Sequence, residues 1–282
     1  MTQIKSHFLV VLLALAAFAG CDSAIESNYH EQIVVAGFLY ANEPIDSIVL
    51  HRTTPFGEYY DDNDYAVDSA QVTITVDGVP HLLQPTGLKG RYKLPASELI
   101  VQGGKTYLLS VVAPNHQTGG QHHLSAKTLV PMPVHFTSTN VDSIRGKEML
   151  FDTTDLSHFP FLLTLGPPET STQWYLLSVE GLDTTIGIIK GRGLNPDSLT
   201  TTRFWFAQTG PTVAVGPQLF QWYGPNLITF RAIDSNWADY QRQTPPFGFV
   251  NYEPSLNHVA GGMGIFGSGA RDTVTVWLKQ KE

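Results

Sequence analysis

Four groups of residues in this chain have types and spacings that could do chemistry. The stretch "NHVAGGMGIFGSGARDTVTVWL" (Asn257 to Leu278) contains a G-x-G-x-x-G at Gly262, Gly264 and Gly267, the spelling of a dinucleotide-binding turn. The acid-rich run "EYYDDNDYAVD" (Glu58 to Asp68) sets Asp61, Asp62 and Asp64 close together, and calcium takes roughly six to eight such oxygens. "NHQTGGQHH" (Asn115 to His123) holds three histidines, a zinc-ligand type. The fourth is a single thiol, Cys21, directly after "FAG".

Context decides each of them. A dinucleotide turn needs a strand before it, a helix after it and an acidic residue about 20 positions on. Only 15 residues follow Gly267, and there Val274, Val276 and Leu278 alternate with Thr273, Thr275 and Trp277, which is a strand pattern. The nucleotide reading fails. A glycine-rich structural bend feeding the last strand is expected instead, with Gly261, Gly262, Gly264 and Gly267 giving positive φ or close backbone approach, and Ile265 and Phe266 plugging the core. A close-packed surface that meets a partner is the other reading of these glycines.

The acid run lacks the D-x-D-x-D-G and distal Glu of an EF-hand, so Asp61, Asp62 and Asp64 stand only as a calcium candidate, and no metal or cofactor is assigned. Together with Tyr59, Tyr60 and Tyr65 they form the candidate recognition loop, because aromatic side chains give contact area at small entropic cost. His122 and His123 are adjacent, so in a strand they point to opposite faces and do not converge on a metal. There is no H-E-x-x-H, G-x-S-x-G or P-loop. No two carboxylates stand out as a glycosidase pair. Trp174, Trp205, Trp222 and Trp237 could stack on sugar rings, but core packing is the expected use. No catalytic residue is assigned.

Cys21 gains its meaning from what precedes it. Lys5, then the apolar run "FLVVLLALAAFAG" (Phe8 to Gly20), then a small residue before a cysteine read as a secretory signal over 1–20 with a lipobox. Phe18 replaces the usual Leu at the first lipobox place. Cys21 is the only cysteine, so no disulfide can form within the chain, and a covalent lipid anchor is the expected role. Residues 21–31 then read as a lipidated tether.

The elements that must position these residues are strands. Charged residues make up 15% and aromatics 11%, with 25 Gly and 18 Pro, a balance that points to an all-β extracytoplasmic protein. Residues 1–20 carry one positive charge and no acid, so the remainder carries −9 against −8 for the whole chain. With no basic cluster, nucleic-acid binding is excluded as a function class. "QIVVAGFLY", "DSIVLHRT", "AQVTITV", "VPHLLQ", "GRYKL", "KTYLLSVVAP" and "HLSAKTLV" predict seven strands, an immunoglobulin-like β-sandwich over 32–131 without the cysteine pair. Asp77-Gly78 predicts a hairpin turn. Pro131 to Pro133 mark a boundary. A second β-rich domain over 132–282 is expected from "FLLTLG", "TQWYLLSVEG", "TTIGIIKG", "RFWFAQTG", "LITFRAI" and "DTVTVWLK". It carries one short helix at "DSNWADYQRQ", capped by Asp234 or Ser235, with Trp237 and Tyr240 on one face.

In their order these pieces resemble a large family of bacterial lipoproteins, typical of Bacteroidota and described only as a domain of unknown function. The resemblance rests on the lipobox, on Val34, Val35 and Gly37, and on "IVLHRT", "DSAQVTITVDG", "GRY" and "GKTYLLSV". It rests also on Asn257, Gly261, Gly262, Gly264, Phe266 and Gly267 near the C-terminus. The stretch around 135–225 matches poorly. Such genes often lie beside TonB-dependent outer-membrane receptors. The resemblance therefore implies an outer-membrane lipoprotein, anchored through Cys21, that binds a receptor or an unidentified ligand in nutrient uptake. The readings from other classes are an extracellular polymer hydrolase and a structural envelope protein.

Overall fold

The computed structural model describes residues 29–138, 148–151, 161–165, 174–189, 202–207, 212–216, 219–243 and 257–280. The signal segment, most of the tether and the lipidation candidate Cys21 lie outside the described residues. By its contacts the chain divides into two units, Met1–His30 with Thr54–Tyr59, and Glu31–Thr53 with Tyr60–Glu282. In the first, Thr54 Oγ1 and the Glu58 N–H both donate to the Pro55 carbonyl, at 3.1 and 3.3 Å.

The second unit holds the sheets. Its first strands, β1 (Ile33–Tyr40) and β2 (Ile48–Arg52), pair antiparallel and belong to one sheet, while β3 (Gln71–Val76), β4 (Val79–Leu82), β7 (Thr106–Pro114) and β8 (Gln121–Leu129) belong to another. The period-2 pattern explains the split. Val72, Ile74 and Val76 are buried and alternate with residues nearer solvent, and β7 alternates the same way through Tyr107, Leu109, Val111 and Ala113. These faces meet Ile33, Val35, Leu39, Ile48 and Leu50 from the facing sheet in one core.

The expected run "VPHLLQ" divides. After the Asp77-Gly78 turn, with both residues at positive φ (51° and 79°), β4 pairs β3, while β5 (Gln84–Pro85) pairs β6 (Arg91–Lys93) in the opposite sheet. Buried Leu83 marks the crossing. At the start of β7 the buried Tyr107 accepts a hydrogen bond from the Gln102 N–H at 2.8 Å. A tyrosine tied to backbone a few residues upstream is a hallmark of immunoglobulin-like sandwiches.

The remaining strands include β9 (Phe136–Ser138), β10 (Glu148–Phe151), β11 (Phe161–Leu165), β12 (Trp174–Gly181), β13 (Thr202–Ala207), β14 (Thr212–Val215) and β15 (Gly224–Ile233). The helix α1 (Ser235–Gln243) follows, then β16 (Val259–Ala260) and β17 (Met263–Gln280). β9, β11 and β14 form a small third sheet, and β16 extends the β8 edge. "TTIGIIKG" is not a strand where it is described: Ile188 makes a single bridge to Trp222, and Gly187 at φ 135° turns the chain.

The fold is all-β, with one helix among the described residues. The 18-residue β17 joins its parts. Its first half pairs β1 in parallel, and its second half pairs β15 antiparallel, giving the order β13-β12-β15-β17-β1-β2-β6-β5. Two cores result. One gathers residues 33–130 and adds Val259, Phe266 and Ala270; the other runs from Val134 to Leu278 and takes Val274, Val276 and Leu278. A cut at Pro131–Pro133 thus falls between the cores, but β16 and the first half of β17 serve the N-terminal one.

Candidate functional site

The loop between β2 and β3 is built around Arg52. Its backbone N–H donates to the Tyr65 carbonyl at 2.7 Å, closing the loop. Its guanidinium donates to the Asp64 carbonyl at 2.7 Å, lies 5.8 Å from the Tyr65 ring centroid and faces Glu31 at 3.7 Å. Glu31 is itself buried, accepts the His116 N–H at 3.0 Å and sits 3.2 Å from His122 Nε2. The loop's root is therefore pinned to the β7–β8 hairpin through a carboxylate.

Above this root three rings stack. His51 and Tyr60 lie 6.2 Å apart, and Tyr60 and Tyr65 lie 5.3 Å apart at 14°. The Tyr60 hydroxyl is 2.6 Å from His51 Nδ1. Burial, then the neighbouring Asp62 and Asp61 carboxylates, push the Tyr60 phenol above its ordinary pKa. It stays neutral and able to donate at physiological pH. Tyr60 is 43% exposed. Phe56 and Tyr59, in the other unit, are exposed almost completely.

The three aspartates do not converge. Asp61 Oδ1 accepts the Asn63 N–H at 2.7 Å, a local Asx turn, whereas Asp62 faces His51 at 3.8 Å. Among the described residues no group of three or more His, Cys, Asp or Glu is placed to hold a metal ion. His122 turns inward to Glu31, while His123, opposite Val112, is exposed.

The glycines lie where backbone meets backbone. The bend is confined to Gly261 and Gly262; from Met263 the chain is already strand. Gly261 (φ 76°) has no room for a Cβ against the His123 carbonyl oxygen, and a Cβ on Gly262 would lie 2.6 Å from the Ile33 carbonyl oxygen. Gly264 (φ 106°) abuts the Val35 carbonyl. At Gly267 the nearest atom to an added Cβ is Trp237 Cβ at 3.2 Å. Ile265 and Phe266 point to opposite faces and enter different clusters. Asn257 donates to the Val259 and Gly262 carbonyls at 3.1 and 3.0 Å, closing the turn.

Behind Gly267 lies a polar knot. Asp234 Oδ1 accepts the Trp237 N–H at 3.0 Å, which caps α1, and the Ser268 N–H at 3.1 Å. Asp234 Oδ2 accepts the Thr128 hydroxyl at 2.6 Å. Asn236 donates to the Lys127 and Phe266 carbonyls at 2.6 and 2.8 Å. Helix, β8 and β17 are joined here. Trp237 is buried against Phe38 (4.5 Å) and Tyr40 (5.8 Å), and Arg242 covers the Trp174 ring at 4.4 Å. Trp222 packs on Gly181. The side chain of Trp205 lies outside the described residues. The parts unforeseen in the sequence are His51 and Arg52, read there only as strand residues, and the Asp234 knot beyond its helix cap.

These features define an all-β protein with an immunoglobulin-like sandwich whose last strand returns to the first. The chain belongs to the family "Domain of unknown function (DUF4249)", which matches residues 22–273. A comparison with curated proteins gives no match. Among solved structures it is similar to the two fibronectin type-III domain segment from chicken tenascin, at 10% identity, 72% of this chain, 88% of that chain and TM-score 0.20. It is similar also to the beta-glucuronidase of Parabacteroides merdae, at 9% identity, 72% of this chain, 24% of that chain and TM-score 0.25.

Proposed function

We propose that this chain is an extracytoplasmic lipoprotein, held on the outer membrane through a lipid on Cys21, that acts without catalysis as a binding or accessory component of TonB-dependent uptake. The observation that supports the reading is the braced stack of His51, Tyr60 and Tyr65. A loop of aromatics held from below by Arg52 and Glu31 loses little freedom on binding, so its contacts convert to affinity with small ordering cost. Asp61, Asp62 and Asp64 favour a neutral or basic partner over an acidic one at this loop.

The test is a mild-detergent pull-down of the lipidated chain from its own membranes. Recovery of a TonB-dependent receptor, identified by mass spectrometry, is expected with the wild type. A Tyr60→Ala, Tyr65→Ala double variant is expected to lose most of it, while its thermal midpoint stays within a few degrees, because both side chains lie outside the two main cores. Wild type coming down alone would sink the accessory reading and move the polymer hydrolase and the structural envelope protein ahead of it.

A further inference from the structure

On the face of the large sheet that carries α1, two arginines stand directly opposite each other, Arg231 on β15 and Arg271 on β17. Like charges placed so repel, and each needs a counter-charge. Arg271 has one: it donates twice to Glu43, at 2.7 Å to each carboxylate oxygen, and lies over Tyr40 at 4.8 Å. Arg52 and Arg242 likewise face Glu31 and Asp239. Arg231 has none among the described residues. It donates to the Ser178 hydroxyl at 2.8 Å, and Ser178 is buried, with 3% of its surface exposed. The Tyr40 side chain is a second, neutral hydrogen-bonding partner, and the Glu180 carboxylate acts only from beyond ion-pair distance. Burial is the chief cause that lowers the Arg231 pKa, so folding strips water from this group without replacing it by an anion. The guanidinium stays charged all the same.

The geometry points to Arg231, with Ser178 and Tyr40 beside it, as a binding site for the carboxylate group of a small organic acid. A guanidinium fork matches two carboxylate oxygens in its plane, and Ser178, on the neighbouring strand β12, fixes the plane of the fork. The charge count selects a monoanion. With Arg271 already neutralised by Glu43, the site offers one uncompensated positive charge, and a dianion such as sulfate would leave an excess negative charge near Glu180 and Glu43. The face stays reachable because Arg231 is only half-buried. This inference concerns a different surface from the recognition loop and does not rest on it.

Isothermal titration of the full chain in mild detergent, with acetate, benzoate and sulfate as probes at constant ionic strength, tests it. Saturable binding of a carboxylate probe is expected, weakened about tenfold or more in Arg231→Gln and less in Arg231→Lys, which keeps the charge but not the fork. Ser178→Ala, which leaves the charge in place, is expected to weaken binding by a smaller factor. The thermal midpoints of all variants check folding. Absence of saturable binding in the wild type, sulfate binding in place of the carboxylates, or equal binding by wild type and a folded Arg231→Gln would each overturn the assignment and leave Arg231 a brace between strands.

Discussion

Gly264→Ala is expected to cost about 4 kcal/mol, a large share of the roughly 5–15 kcal/mol that holds an ordinary domain folded. Two independent costs combine. At φ 106° the residue lies beyond the left-handed region open to side chains, a strain of roughly 1–3 kcal/mol. The added Cβ would also overlap the Val35 carbonyl oxygen and lie 2.9 Å from the Val35 nitrogen, so the backbones must separate. Val35 and Gly264 are direct partners in the parallel pairing of β1 with β17, and Val35 is fully buried. Separation there pulls Phe266, also fully buried, out of the first core, at roughly 1.5–3 kcal/mol for the side chain alone. The controls are Gly78→Ala, which meets only the φ cost because nothing lies within 4 Å, and Gly267→Ala, where Trp237 Cβ at 3.2 Å must give slightly. Both are expected near 1 kcal/mol. Urea midpoints at constant slope measure all three. If Gly264→Ala loses no more than Gly78→Ala, the first and last strands are not held together at this point.

That contrast shows what the sequence could and could not reveal. The alternation in "AQVTITV" and "TYLLSVVA" has one period and one solution, so strands β3 and β7 were legible residue by residue. The Asp77-Gly78 turn and a helix cap at Asp234 or Ser235 were legible because each rests on local backbone chemistry, and the structure selects Asp234. What joins distant segments was not. Nothing in "MGIFGSGARDTVTVWL" says that its first half pairs in parallel with residues 34–40, since parallel partners are specified by burial on both faces rather than by a turn. The glycines looked like a bend because glycine marks both a turn and a close approach. Here Gly261 does the first and Gly264 the second. The recognition loop was legible in composition, through its tyrosines and aspartates. Its support was not, because Arg52 and Glu31 are 21 residues apart and meet only in the folded chain. Arg231 gave no signal inside "LITFRAI", because a single arginine in a strand segment does not show which residues it will face.

The Asp234 knot separates a cap from a charge. Asp234→Ala leaves the buried Trp237 and Ser268 N–H groups without their acceptor, while the Thr128 hydroxyl keeps the Ser268 hydroxyl as a partner. A lost cap costs about 1 kcal/mol, and each buried donor left unpaired about 1–3, so a net loss near 3 kcal/mol is expected after local relaxation. Asp234→Asn keeps the Oδ1 acceptor for both N–H groups and asks only that Thr128 turn its hydroxyl to accept. Its loss at pH 7 is expected near 1 kcal/mol. The two variants also differ from wild type in pH dependence. Burial holds the Asp234 carboxyl above its ordinary pKa, and the hydrogen bonds from Thr128, Trp237 and Ser268 offset this only in part. The folded state therefore binds the proton more tightly than the unfolded state, whose value is about 3.9. The resulting stabilisation is full below the unfolded value and is lost as pH rises through the folded one. Wild type should accordingly gain on Asp234→Asn as pH falls toward 4, and the gap should narrow toward neutrality. Denaturant midpoints of the two proteins between pH 3.5 and 7 measure it. A gap that instead widens with rising pH would mean that the knot favours the anion, and that three hydrogen bonds outweigh the desolvation of one carboxylate.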